Sequence, residues 1–441
     1  MTLSTAGGRL LSRLGPLTIP GFAFFWSART ISLIGDYAFR VAFITYIIST
    51  THRSATALAV ANAVLLVPAL VFYLFGGVVG DRVRSRRRVM IVSDVGRCAV
   101  AAAIVACISA HAPLAVIIVC AVSISVGDGF FMPAAFACLP EIVPAGRLTS
   151  ANSAISLSQQ AGLIIGPALG GLLIGFGGPA VAFGFDAASF LASAALVAAI
   201  RGVAAEPAGG APAPVQEPAQ GVRGLFRDIY GGMQYVRMQQ WLLISLAIGT
   251  VANAVFAGNL DVTVPLIVSP QGTGGARALG AFYALEGIGA VLGAVIMARI
   301  VVNRVGSLMF AMLTLMAGSL AMVGVFSRAV PTFLMAVSYG IGLHFFNSLY
   351  MTLVQQKVPV SLMSRVSSLL FLAFNALMPL GTLLMGPLIV AMGASSTALS
   401  TGAALAVICA LTAFTPSIRA LAVGGHPDSE PVEDLSGYRA S

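Results

Sequence analysis

The sequence predicts an all-α integral membrane protein with twelve transmembrane helices in two six-helix bundles, and three observations point there. The first is composition. Of 441 residues, 58% are hydrophobic and only 9% charged, with a mean hydropathy of +0.96. A soluble domain carries roughly 25% charged residues, so the surface that would keep this chain in water is missing. Second, the apolar residues form continuous runs of about twenty with Gly and Pro inside them, which is a helical signature. A membrane β-barrel would alternate over segments of about ten. Third, part of the first half recurs in the second. These features exclude a soluble enzyme, a disordered chain and a nucleic-acid-binding domain.

The runs place spans near residues 22–48, 56–79, 89–110, 114–137, 151–175, 179–200, 240–268, 278–302, 306–326, 331–355, 365–391 and 395–418. Residues 201–224 are rich in Pro, Ala and Gly and lack an apolar face, which predicts a flexible linker. After it, Leu225, Ile229, Met233 and Val236 recur at helical spacing among Arg227, Asp228 and Arg237, the pattern of a helix lying in the membrane interface. The tail beyond Val423 carries Asp428, Glu430, Glu433 and Asp434 and is expected to be disordered. The predicted organisation is an N-terminal bundle (1–200), a linker with an interfacial helix (201–238), a C-terminal bundle (239–420) and a tail (421–441). Arg9 and Arg13 precede a long first span with no small-residue cleavage site, so that span reads as a retained helix. Cys98, Cys107, Cys120, Cys138 and Cys409 show no CxxC or metal spacing and read as small hydrophobes.

Charge sets the orientation. The formal net charge is +9, and the basic residues are not spread evenly. Eighteen fall on the linker side, among them Arg82, Arg84, Arg86, Arg87, Arg88, Arg147, Arg223 and Arg365, whereas the opposite loops hold Arg53, Arg277 and Arg328. The positive-inside rule then puts both termini and the linker in the cytoplasm of a multi-pass cell-membrane protein. The repeat is local but clear. Shifting by 215 positions lays Val143, Pro144, Ser153, Leu157, Gly166 and Gly171 on Val358, Pro359, Ser368, Leu372, Gly381 and Gly386. A six-span unit repeated in parallel is a transporter plan, with the substrate held between the halves near mid-membrane.

Two motifs carry a family resemblance. The loop after span 2 reads GGVVGDRVRSRRR, from Gly76 to Arg88. Its glycines allow close helix approach, and Asp81 can cap the next helix or pair with a nearby arginine. It resembles the signature loop of the major facilitator superfamily. That likeness implies the major facilitator fold and a gating latch formed here by Gly77, Asp81, Arg82, Arg86 and Arg87. The matching stretch of the second half, GAVIMARIVVNR, has Ala298 in place of the acid, so such a latch is one-sided. In span 5, AGLIIGPALGG puts Gly162, Gly166 and Gly170 on one helix face, with Pro167 and Gly171 beside them. Small residues at that spacing suit packing alone. The G-P-x-x-G-G form is also similar to the motif marking exporters of the superfamily. With FFWSARTISLIGDY, FFMPAAFACLPEIVP, LTSANSAI and FDAASF, the chain resembles the macrolide-efflux and enterobactin-exporter branch. It lacks the span 4 arginine common in proton-antiporting drug exporters and has only Asp128 there.

Ionisable residues within spans are functional candidates, since burying each costs roughly 3 kcal/mol on insertion scales. Arg29, Ser32, Asp36 and Arg40 share a face of span 1, either as an internal clasp or as a substrate or gate contact. Asp94 and Arg97, three apart, read as a structural pair, and Asp186 as structural too. Asp128, Asp261 and Glu286 have no base on their own helix. Asp128 and Glu286 are therefore the expected proton-coupling residues. In the fold this chain resembles, spans 1, 4, 7 and 10 line the cavity, which implies Asp36, Arg40, Asn253, Asn259, Asp261, His344 and Asn347 as substrate contacts. Phe24, Phe25, Trp26, Phe345 and Phe346 fit either an apolar drug wall or helix packing. No HExxH, Ser/His/Asp set or nucleotide-binding loop is present. The expected function is export of small lipophilic or amphipathic molecules by alternating access, driven by proton antiport. The alternative is an importer or lysolipid transporter on the same fold. The expected partners are a small-molecule substrate and membrane lipid, with no nucleic acid, no cofactor beyond the proton gradient, no metal, and a monomeric state.

Overall fold

Proline opens the first and sixth long helices of the computed structural model, which describes residues 15–80, 85–200, 232–269, 273–300, 302, 304–326 and 330–421. Its fixed φ and missing N–H suit a first helical turn. The first set comprises α1 (Pro20–Thr50), α2 (Ala55–Gly80), α3 (Arg86–Ser109), α4 (Leu114–Ile142), α5 (Leu148–Gly177) and α6 (Pro179–Ala199). The second comprises α7 (Gln240–Val268), α8 (Thr273–Met297), α9 (Val305–Phe326), α10 (Val330–Lys357), α11 in two pieces (Val360–Ala376 and Met378–Met392) and α12 (Ala394–Thr412). Pro379 lacks the N–H that would carry the α11 ladder through Leu377. Within α7, Asn259–Thr263 form a π-helical turn in which the Val264 N–H reaches back five residues to the Asn259 carbonyl.

Ten of the described helices are long and apolar enough to cross a membrane. α2, apolar over Ala55–Pro68, and the 28-residue α10 complete the twelve. Helix ends differ from the predicted spans where sequence turns polar before the helix stops. α4 continues through Pro140 and Glu141 to Ile142, and α5 begins at Leu148, ahead of the predicted 151. α8 lies about five residues earlier than its predicted span. Residues 232–238 are helical, with the Tyr235 hydroxyl donating to the Lys357 carbonyl at 3.1 Å. The rest of the predicted linker, interfacial helix and tail lies outside the described residues.

Each set packs as a six-helix bundle. In the first, α1 lies against α5 and α6, α3 against α4 and α6, and α2 against α4; in the second, α8 lies on α10, α9 on α10 and α12, and α11 on α7. Two seams join the bundles, α5 with α8 and α2 with α11. Glycines explain both. A Cβ on Gly171 would sit 2.8 Å from the Ala276 carbonyl oxygen of α8, and one on Gly386 3.1 Å from the Thr56 Cα of α2. These are repeat-related positions serving the same seam. Gly166 and Gly381, the other matched pair, press on α1 and α7 respectively.

The two ends of the molecule differ. Thr18, Arg147, Gly21, Ile142 and Ile200 meet at the linker end. Closures between bundles concentrate at the opposite end, where Arg53 bonds the Ser269 carbonyl at 2.5 Å and also the Leu266 carbonyl. Toward the linker end α5 exposes Asn152, Ser153, Ser156 and Gln159, polar side chains that belong in water and not in lipid. The bundles therefore enclose a cleft that opens at the linker end.

Candidate functional site

The first bundle holds an ionic cluster built around Arg97 of α3. Its guanidinium pairs with Asp94 one turn back and with Asp128 of α4, and lies 4.0 Å from Asp36 of α1. Gly127 makes the reach possible, because a Cβ there would lie 2.6 Å from the Arg97 Cγ. The guanidinium carbon rests 4.7 Å from the Phe131 ring centre and 4.2 Å from that of Phe190. Ser193 of α6 donates to the second Asp94 oxygen at 2.6 Å. Arg97 is 1% exposed, whereas the side chains of Asp36 and Asp128 are 28% and 40% exposed. One buried cation thus serves three carboxylates, two of which are partly exposed. Asp186, fully buried on α6, lies beside Ser189 and Gly35.

The sequence-based pairings change here in two ways. Asp128 is not a lone acid among apolar residues: its base comes from α3, a helix away. The Asp36 clasp with Arg29 and Arg40 does not form. Arg29 turns toward the Met132 sulfur at 2.8 Å and the Phe131 ring. Arg40 reaches out of the bundle and pairs with Asp261 of α7 at 2.5 Å, lying 4.8 Å above the Tyr283 ring of α8. The Asp94–Arg97 pair, by contrast, is as its spacing predicts.

Around Asp261 the bundles interlock. Asn62 of α2 donates to the Asp261 carbonyl at 3.2 Å, and the Tyr283 hydroxyl to the Leu260 carbonyl at 2.6 Å. Glu286, one turn beyond Tyr283, is buried, and its Oε2 has no partner among the described residues. Asn259 faces away from the cleft, into the second bundle, donating to Thr401 of α12 at 3.1 Å. Asn253 is tied to the Phe374 carbonyl of α11. His344 is half-buried beside Gly293, and Asn347 is exposed. The aromatic residues mostly pack: Phe25, Phe345 and Phe346 are buried, and the Trp26 indole donates to the Ala154 carbonyl.

The α5 glycine face meets α1. A Cβ on Gly162 would touch Leu33 and Tyr37, one on Gly166 would lie 2.8 Å from the Ile34 carbonyl oxygen, and one on Gly170 2.9 Å from Ala38. Gly171 turns to α8, where the Pro167 carbonyl in turn faces Gly280. Of the latch residues, Asp81, Arg82 and the surroundings of Gly77 lie outside the described residues. Arg86 bonds the Ala137 carbonyl and Glu141, and Arg87 the Val197 and Ala198 carbonyls, all inside the first bundle. No group of His, Cys, Asp and Glu among the described residues is disposed to hold a metal ion.

Comparison with known proteins agrees with this architecture. The signature of the Major Facilitator Superfamily matches residues 25–382. An uncharacterized MFS-type transporter, YfiS of Bacillus subtilis (strain 168), is 28% identical over 148 residues, a match spanning 34% of this chain and 34% of that relative. Solved structures share the fold at low identity. The nucleoside transporter NupG superposes with a TM-score of 0.68 at 13% identity, over 89% of this chain and 98% of its own. A POT family transporter in complex with 5-aminolevulinic acid gives 0.68 at 12%, over 90% and 96%.

Proposed function

The chain belongs to the Major Facilitator Superfamily, and from that premise we propose that it exports small lipophilic or amphipathic molecules from the cytoplasm by proton antiport. It is a multi-pass membrane transporter and not an enzyme, and members of this family need no cofactor. The observation that carries the export direction is the segment Gly166–Gly171. The exporter-like motif of α5 sits where α1, α5 and α8 meet, so it shapes the seam on which the bundles move.

The proton route follows from the Arg97 cluster. Three carboxylates share one guanidinium, so a proton arriving on Asp128 releases Arg97 toward Asp36, already 4.0 Å away. Asp36, Asn253, His344 and Asn347 then contact substrate, with Glu286 as a second proton site. The linker end is cytoplasmic, and the cleft is the inward-open state. An alkaline-phosphatase fusion at residue 215 is expected to be inactive and a green-fluorescent fusion bright; an active phosphatase would overturn the orientation. In proteoliposomes, Asp128→Asn is expected to lose gradient-driven transport yet keep substrate exchange at zero gradient. Full uphill transport in that variant would refute the proton assignment.

A further inference from the structure

The π-helical turn of α7 departs from α geometry where it faces the first bundle, and several of its bonds come from outside it. Resting on alternating access and not on the direction of transport, we propose that Asn259–Thr263 is a register switch. Asn62 and Arg40 of the first bundle hold it in π form while the far end is closed, and it reverts to α-helix as they withdraw.

Several observations converge on this turn. A π-turn is less favourable than α-helix and persists where its surroundings support it. Here the Leu260 carbonyl accepts from Tyr283, the Asp261 carbonyl from Asn62, and the Asp261 carboxylate from Arg40. Beyond the turn, Arg53 grips the Leu266 and Ser269 carbonyls at the end of α7. His52 and Arg53 both adopt left-handed backbone, at φ 50° and 67°, to present that guanidinium, a conformation that costs non-glycine residues about 1 kcal/mol each. The π form also leaves polar atoms unmet. Thr263 Oγ1 and Asn259 Oδ1 are buried without partners among the described residues. In an α-helix the Thr263 hydroxyl would reach the carbonyl four residues back, that of Asn259. Three of the four tethers come from the first bundle and are lost when that end opens.

The switch has a geometric output. Removing one residue from a helical turn rotates the segments on either side by about 100° and shifts them by about 1.5 Å. The segment Gln240–Gly258 carries Asn253, so opening the far end would break the Asn253 bond to Phe374 and swing that amide relative to the cleft. Asn62 and Tyr283 are then positioning residues that act through α7 and do not contact substrate.

The test uses the full chain with its five cysteines replaced, in nanodiscs. One spin-label pair, Val60→Cys with Val390→Cys, reports separation of the bundles at the far end. A single label at Val251→Cys, exposed at the surface of α7, reports rotation through its accessibility to oxygen and to a water-soluble nickel chelate. Asn62→Leu is expected to raise the far-end-open population about tenfold, the worth of one hydrogen bond, and to change the Val251 accessibility in the same fraction of molecules. Tyr283→Phe, which keeps the ring beneath Arg40, is expected to do the same more weakly, and serves if Asn62→Leu does not fold. Widening with unchanged accessibility at Val251 would mean that α7 moves as a rigid helix, and would overturn the switch. Unchanged distances in both variants would overturn the tether. Neither readout involves substrate or transport direction, so failure of the export assignment leaves this result standing.

Discussion

The two bundles share a plan but not a chemistry. In the first, Arg97, Asp94, Asp128 and Asp36 meet across three helices, with Asp186 fully buried nearby on α6. In the second, no ion pair lies inside the bundle among the described residues; aromatic pairs such as Phe256 with Tyr339 and Phe346 with Tyr350 pack there beside neutral polar groups such as Asn259 and Thr382, and the acid Asp261 pairs instead with Arg40 of α1. The glycine seams at Gly171 and Gly386 remain matched. Packing followed the repeat while charge did not.

The difference can be broken most severely at Arg97. Arg97→Met strands Asp94 and Asp128 without their cation, and losing one partner of a buried pair costs about 3–5 kcal/mol. The purified protein is expected to show a large drop in unfolding temperature, with protease cleavage appearing first among α3, α4 and α6. An unchanged melting curve would show that the cluster does not hold the bundle.

The matched glycine seams carry the packing that both bundles share. Gly171→Val and Gly386→Val each push a side chain onto a facing backbone, and overpacking of this kind costs about 1–3 kcal/mol. Similar losses of stability and transport are expected from both. A loss from one alone would mean that the repeat is no longer functional in packing.

Smaller effects fall at the interface. Asp261→Asn removes the charge that Arg40 meets while keeping a hydrogen-bonding side chain, so stability should change little and the far end should open more often. The separation of spin labels at Val60→Cys and Val390→Cys is expected to lengthen in a larger share of molecules, and an unaltered distance distribution would place the closure elsewhere. Glu286→Gln is expected to have the least effect on stability, since shape is kept and the buried Oε2 has no hydrogen-bond partner among the described residues to lose, while gradient-driven transport falls. Unaltered transport would remove Glu286 from the proton route.

Much of the architecture was legible in the sequence, and the reason is physical. Membrane thickness dictates the length of apolar runs, so the spans could be counted, and a 215-residue shift exposed the paired glycines. The Asp94–Arg97 pair was readable because helical geometry fixes neighbours three residues apart. Arg97 with Asp128 and Arg40 with Asp261 were not, because they join residues 31 and 221 positions apart and depend on helix rotation that hydropathy does not encode. Gly127 is the one local hint, a missing side chain beside Asp128 that makes room for a neighbour's arginine. The π-turn left no signal, since one extra residue in a helix of this length changes neither its length class nor its mean hydropathy.

Under the proposed antiport, proton entry at Asp128 drives substrate out through the cleft at the linker end. The most direct measurement uses proteoliposomes with the linker end facing outward and an acidic lumen, loaded externally with an amphipathic antibiotic found by resistance profiling. Accumulation in the lumen as protons leave is expected, abolished in Asp128→Asn while exchange at zero gradient persists. Accumulation that survives Asp128→Asn, or substrate moving in the same direction as the protons, would contradict it.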